Sequence, residues 1–243
     1  MIDSHSQARL AENWQAVQQD VLSATTAANR PVDSVTIIGV TKYVDAETTL
    51  ALVDAGCRIL GENRPQVLWK KNEEVDFPDD VRWHLIGHLQ RNKLRRSLPY
   101  RPMIHSVDSE RLLTAIVEEA AGQQIPTKLL LEVNISGEEA KTGLMPQDLR
   151  PILESHLDSK HTDTGTGVVE IVGLMAMAGW GTDVAAARHQ FAATRQLRDE
   201  LQQQTGAALP ELSMGMSGDF PAAIAEGATM VRIGSRLFEG LLP

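Results

Sequence analysis

Cysteine is almost missing from this chain: there is one, Cys57, among 243 residues. A lone thiol excludes internal disulfides and thiolate metal clusters, and it fits a reducing compartment. Following Ala55-Gly56 in an apolar setting, Cys57 reads as packing and not as a nucleophile. Long apolar runs are missing too. None approaches membrane-spanning length, and Met1-Ile2-Asp3-Ser4-His5 lacks the basic and apolar regions of a signal peptide, so a cytoplasmic protein without membrane contact is expected. Basic residues are outnumbered, 23 against 32 acidic ones, for a formal net charge of −9. That balance argues against a nucleic-acid surface and for a small ligand or a protein partner. The short stretch Arg91 to Arg96 is the local exception. No low-complexity segment marks a linker.

What remains is an ordinary globular composition, 42% hydrophobic and 23% charged, long enough for one barrel-sized domain over residues 1–243. The most informative stretch is Val35-Thr36-Ile37-Ile38-Gly39-Val40-Thr41-Lys42. Odd and even positions are both mostly apolar, which predicts a strand covered on two faces. Ahead of it, Leu10, Trp14, Val17, Val21 and Leu22 recur at helical spacing and predict an amino-terminal helix from about Ser6 to Ala28, stopped by Arg30-Pro31. Behind it, helix and strand patterns alternate. Ala46 to Asp54 is a helix ended by Gly56, Arg58 to Asn63 a strand, and Pro65 to Glu74 a helix with proline in its first turn. Then come a strand Val81 to Gly87, a short basic helix Gln90 to Ser97, a strand Pro102 to Val107, and a helix Ser109 to Ala121 capped by Ser109. Lys128 to Ile135 alternates Leu129, Leu131, Val133 and Ile135 against Leu130, Glu132 and Asn134, so one face is dry and the other partly polar. A helix Pro146 to His156 leads to Asp158 to Gly167, read as an exposed loop. The rest comprises strands Val168 to Met175, Glu211 to Met216 and Thr229 to Gly234, helices Thr182 to Gln204 and Phe220 to Ala225, and a short closing turn from Ser235.

Eight strand units alternating with helices predict a (β/α)8 barrel with an extra amino-terminal helix. A doubly wound sheet is the alternative, but Lys42-Tyr43-Val44-Asp45 is not the glycine-rich turn that fold places after its first strand. In a barrel, ligand chemistry collects at the carboxyl ends of the strands. Those ends carry Lys42, Asn63, His84, Ser106, Asn134 with Lys141, Met177, Ser217, and Arg232 with Gly234-Ser235. Lys42 alone could simply reach water beyond its strand, or it could attack a carbonyl. Ser213 to Asp219 and Gly234-Ser235 offer hydroxyls and open amides where such barrels commonly hold phosphate, although ordinary turn chemistry explains either segment alone. The alternation in Met230 to Gly234 turns Arg232 inward. A lysine, a phosphate cradle and an inward arginine together suggest pyridoxal phosphate. His84 and His88, four apart, straddle a strand end and make a poor zinc pair. Ser217 lacks the Gly-x-Ser-x-Gly turn of a hydrolase.

The runs Gly39-Val40-Thr41-Lys42, Gly61-Glu62-Asn63, Trp83 to Lys93, Val133-Asn134-Ile135, Lys141-Thr142-Gly143, Gly173 to Met177, Ser213 to Ser217 and Val231 to Ser235 resemble the pyridoxal phosphate homeostasis protein family over about residues 33 to 241. The resemblance implies the barrel of the alanine racemase amino-terminal domain, with pyridoxal 5'-phosphate held as a Schiff base and no established turnover. It assigns the Schiff-base lysine to Lys42, the asparagine beside the ring to Asn63, and the arginine at the pyridine nitrogen to Arg232. Ser217, Gly234 and Ser235 match the phosphate loops, and Met216 and His84 complete the cofactor-lining set. Thr41, Tyr43 and Ser235 stand where the family often has serine, threonine and threonine. The expected role is a monomeric carrier that buffers the cofactor or delivers it to apo enzymes. A racemase or decarboxylase is the alternative. The related racemases take a second base from a tyrosine of a further domain, whereas Tyr43 and Tyr100 are the only tyrosines here, so the carrier is preferred.

Overall fold

In the computed structural model, described for residues 2–138, 142–160, 168–179 and 181–241 (backbone alone at 158–160), the eight strand units close on themselves. Helix α1 (Ser4–Ala27) precedes β1 (Thr36–Val40), α2 (Ala46–Asp54), β2 (Ile59–Glu62), α3 (Pro65–Glu74), β3 (Arg82–Leu85), α4 (Leu94–Ser97), β4 (Met103–Val107), α5 (Glu110–Gln123), β5 (Thr127–Glu132), α6 (Pro146–Lys160), β6 (Val169–Met175), α7 (Val184–Thr205), β7 (Glu211–Met216), α8 (Phe220–Ala225) and β8 (Met230–Ile233). The strands are parallel and ordered 1 to 8, and β8 pairs with β1 to close the barrel, with Ile38 beside Arg232.

The period-2 pattern of each strand sorts its side chains between two cores. Leu60, Leu129, Leu131, Leu212, Val231 and Ile233 face outward into one large apolar cluster with the helices. Inside the barrel, Leu130, Val172 and Met175 form a second, small cluster with Met103 against them. The dry face of β5 therefore meets the helices, as its alternation predicts. Helix α1 buries Leu10, Trp14, Val17 and Val21, capped by the Asp3 carboxylate, which accepts from the Ser6 amide at 2.9 Å. Asn13 ties it to the closing turn by donating to the carbonyls of Leu237 and Glu239. Gly56, with φ of 110°, ends α2 where the sequence places a stop. Cys57 packs against the β1 backbone at Gly39, and burial pushes its thiol up to about 11, which keeps it inert.

Three sequence expectations change. Residues 158–160, read as loop, extend α6, and 161–167 lie outside the described residues. The basic segment Gln90 to Ser97 is one turn of 3-10 helix, Arg91–Lys93, running into α4. Nor is its face merely solvated: Arg96 pairs with Glu73 and stacks 4.4 Å from the ring centre of Trp69, which fastens it to α3. Strand β5 stops at Glu132, because the Asn134 side chain turns the chain by accepting from the Gly137 amide at 3.1 Å.

Candidate functional site at the mouth of the barrel

The connection after β1 is short, because the Asp45 side chain caps α2 by accepting from the Thr48 amide at 2.8 Å. Lys42 lies in this turn, on the inward face continued from Ile38 and Val40, and is half-buried. Its ammonium stands 4.8 Å from the ring centre of the exposed Tyr43 and makes no ion pair among the described residues. Directly behind it is a buried clamp. Lys71 of α3 donates to Glu62 Oε1 at 2.6 Å and to the Thr41 carbonyl at 2.8 Å, and the Thr41 hydroxyl donates to the same Oε1 at 2.6 Å. Burial pushes the Lys71 ammonium below its ordinary value, with Glu62 and Asp45 pulling the other way. The clamp thus fixes the residue before Lys42 to two neighbouring elements.

Asn63 follows β2 with its side-chain amide unengaged among the described residues. Its backbone is held by a close approach: a Cβ on Gly87 would come within 2.5 Å of the Asn63 carbonyl oxygen. Across the mouth, Met216 and Asp219 bond each other, the Met216 amide to Asp219 Oδ1 at 2.6 Å and the Asp219 amide to the Met216 carbonyl at 3.1 Å. The Ser217 hydroxyl oxygen accepts from the Gly234 amide at 3.2 Å. The loops after β7 and β8 are thereby stitched side by side, with Ser235 exposed and the amides of Gly218 and Ser235 lacking acceptors among the described residues.

Arg232 points into the barrel and is 4% exposed. Its NH1 donates to the Ser213 carbonyl at 2.8 Å and hydroxyl at 2.7 Å, and NH2 donates to the Ala176 carbonyl at 3.1 Å. Glu132, a carboxylate on β5, accepts from the Thr142 hydroxyl. No carboxylate among the described residues is bonded to Arg232, and burial lowers its pKa to about 10, with Asp219 and Glu132 pulling the other way from farther off. Its Nε has no acceptor among the described residues.

The Ser213 hydroxyl continues inward. The guanidinium donates to it, and among the described residues its own proton has one acceptor, His105 Nδ1 at 2.9 Å; the arrangement that leaves no proton of the row unpartnered then has His105 carrying hydrogen on Nε2 and donating it to His84 Nδ1 at 2.8 Å. Both rings are buried neutral: burial lowers His84 to about 4 and His105 well below its ordinary value. His84 therefore does not line the mouth. It sits level with Met103, the first residue of β4, near the amino-terminal end of the barrel. His88 is elsewhere, exposed and 2.9 Å from Asp108, so the two histidines do not share a site. Lys141 lies outside the described residues.

Sequence reasoning gave no role to Glu62, Lys71 and His105, and it placed Ser213 with the phosphate loop, whereas the Ser213 side chain faces Arg232 and His105. Each left a trace: Lys71 falls one turn after Leu68 on the buried face of α3, and the others are polar residues on largely apolar strands.

A closed parallel barrel ringed by helices is the fold of the alanine racemase amino-terminal domain, and the model of that domain matches residues 6–241. The Pyridoxal phosphate homeostasis protein of Aquifex aeolicus is 37% identical over 227 residues, 93% of this chain and 96% of that one. PipY of Synechococcus elongatus without PLP superposes with a TM-score of 0.83 at 37% identity, over 94% of this chain and 99% of PipY. PipY with PLP bound gives 0.78 at 36% identity over the same shares. The chain belongs to the pyridoxal phosphate homeostasis protein family.

Proposed function

We propose that the mouth binds pyridoxal 5'-phosphate and that the protein acts as an intracellular carrier of this cofactor. The observation that carries the reading is Arg232, a buried cation with neutral partners on its inner side and a donor to spare. Such a group is stabilised by an acceptor arriving from the open side, and a pyridine nitrogen is one. The remaining residues suit the same ligand. Lys42 Nζ, without an ion pair among the described residues, would hold the aldehyde as a Schiff base, water leaving as the bond forms. Asn63 flanks the ring, and Ser217, Ser235 and the amides beside Met216 and Gly234 surround the phosphate. His84 acts only at a distance, as the far end of the hydrogen-bonded row that starts on Arg232. When bound, the cofactor supplies an electron-withdrawing ring. Arg232, always protonated, donates to the ring nitrogen without giving it a proton of its own, which leaves that ring a weak electron sink and favours holding over turnover.

Borohydride treatment of protein incubated with the cofactor tests the binding: the label is expected on one peptide, containing Lys42. A label confined to Lys93 or Lys128 would remove Lys42 from the site. Incubation with an L-amino acid in deuterated water tests the carrier role. α-Proton exchange or racemisation on the order of 1 per second, the ordinary enzyme range, would make the protein an enzyme.

A further inference from the structure

The row His84–His105–Ser213–Arg232 is an unusual interior for a barrel, where branched apolar residues are the rule. Arg232 sits at its upper end, below the mouth. Its lower end reaches a cavity of about 420 Å3 at the amino-terminal end of the strands. Pro102, Met103, Pro126 and Val168 give this cavity apolar walls, and His84 lies at its base. The direction of the row follows from Arg232, which can only donate, and from the Ser213 hydroxyl proton, which has no acceptor but His105 among the described residues; His84 then accepts on Nδ1, which leaves its proton on Nε2 as the polar atom available to the cavity. Nε2 is not one of the buried side-chain atoms left without a partner, so it opens on the cavity, where an acceptor can reach it. The rim supplies charge. Arg82 is occupied by the carbonyls of Asp79 and Val81, and Lys128 by Glu170 at 3.7 Å, but Arg101 makes no ion pair among the described residues.

We infer that this cavity is a second small-molecule site, for a carboxylic acid with a flat apolar body and a hydrogen-bond acceptor opposite its carboxylate. The body lies against the proline and methionine walls, the carboxylate meets Arg101, and the acceptor takes the His84 Nε2 proton. The volume falls in the range of small-ligand sites, roughly 300 to 1,000 Å3. The site stands on its own geometry and does not depend on what the mouth binds.

The test uses the full chain without cofactor, with isotope-labelled histidine nitrogens read by NMR at neutral pH during titration with para-hydroxybenzoate and, separately, benzoate. The His84 signal is assigned by its loss in His84→Gln. Its proton is expected on Nε2, with a saturable shift on adding para-hydroxybenzoate and roughly ten-fold weaker binding of benzoate, which lacks the second acceptor. Arg101→Asn keeps a residue at ease in the left-handed backbone found there, φ 50°, and touches nothing in the row. It should weaken para-hydroxybenzoate by roughly ten-fold. A His84 proton on Nδ1, no saturable shift at millimolar ligand, or unchanged binding in Arg101→Asn would overturn the site.

Discussion

Lys71 and Arg232 are both buried cations near the carboxyl ends of the strands, yet one is bonded to a carboxylate and the other, among the described residues, only to neutral groups, with Asp219 and Glu132 acting on it from farther off. Lys71 spends its donors on Glu62 and on the Thr41 carbonyl, and nothing about it calls for a ligand. Arg232 is braced by two carbonyls and a hydroxyl, which orient it without cancelling its charge. The first arrangement holds a backbone turn in place. The second keeps a charge poised under an open mouth, and the contrast separates scaffold from site more sharply than burial does, since both groups are buried alike. A compensated charge is costly to disturb and indifferent to ligand, whereas an uncompensated one is cheap to remove and decisive for binding.

The largest expected effect falls on the scaffold side. Lys71→Met strands the Glu62 carboxylate in the interior and should destabilise the fold by about 3 to 5 kcal/mol in denaturant titration, while Glu62→Leu with Lys71→Met should recover most of it. Equal losses in the single and double variants would mean that the pair is not the compensated unit described.

Next comes the far end of the Arg232 row. His84 takes up a proton at about 4 when folded and at about 6.5 when unfolded, so between these values the unfolded chain binds the extra proton and stability falls as pH falls. The span corresponds to about 3 kcal/mol, fully present above pH 6.5 and gone below pH 4. His84→Gln should take its share out of the slope over that window and leave the share of His105, which is also buried neutral; an unchanged slope would place the acid sensitivity elsewhere.

Arg232→Met is expected to leave the unfolding midpoint nearly where it is, lost hydrogen bonds being offset by relief of a buried charge. Cofactor retention should drop by about 1.5 to 3 kcal/mol, roughly ten- to a hundred-fold. A variant that unfolds but binds normally when folded would reverse the comparison. The smallest effect belongs to Tyr43. Replacing it by threonine frees the Lys42 ammonium from a cation–π contact of about 0.5 to 1 kcal/mol, and cofactor capture by equilibrium dialysis should tighten by no more than a few-fold.

Much of this could be read from the sequence because barrel geometry repeats. Two-sided apolar runs alternating with helical stripes leave few architectures, and the period of 2 then fixes which side chain faces in, as it did for Glu132 and Arg232. Lys42, Asn63, Ser217 and Ser235 were legible as strand-exit residues. What stayed hidden depends on depth and on partners distant in sequence. His84 was placed at a strand end, but how far β3 rises relative to β4 is set by pairing register, which composition does not encode. The Glu62–Lys71 pair joins a strand to the following helix, and His105 meets Ser213 from 108 residues away. Asp158 reads as loop because its segment is polar, whereas the helical backbone of α6 continues to Lys160.

The central claim is that Arg232 keeps its charge unspent for a ring nitrogen. NMR of pyridoxal 5'-phosphate with an isotope-labelled ring nitrogen, bound to the protein at neutral pH, reads this directly. An unprotonated pyridine nitrogen that shifts in Arg232→Met is the predicted result; a pyridinium nitrogen, or one indifferent to Arg232, would contradict it.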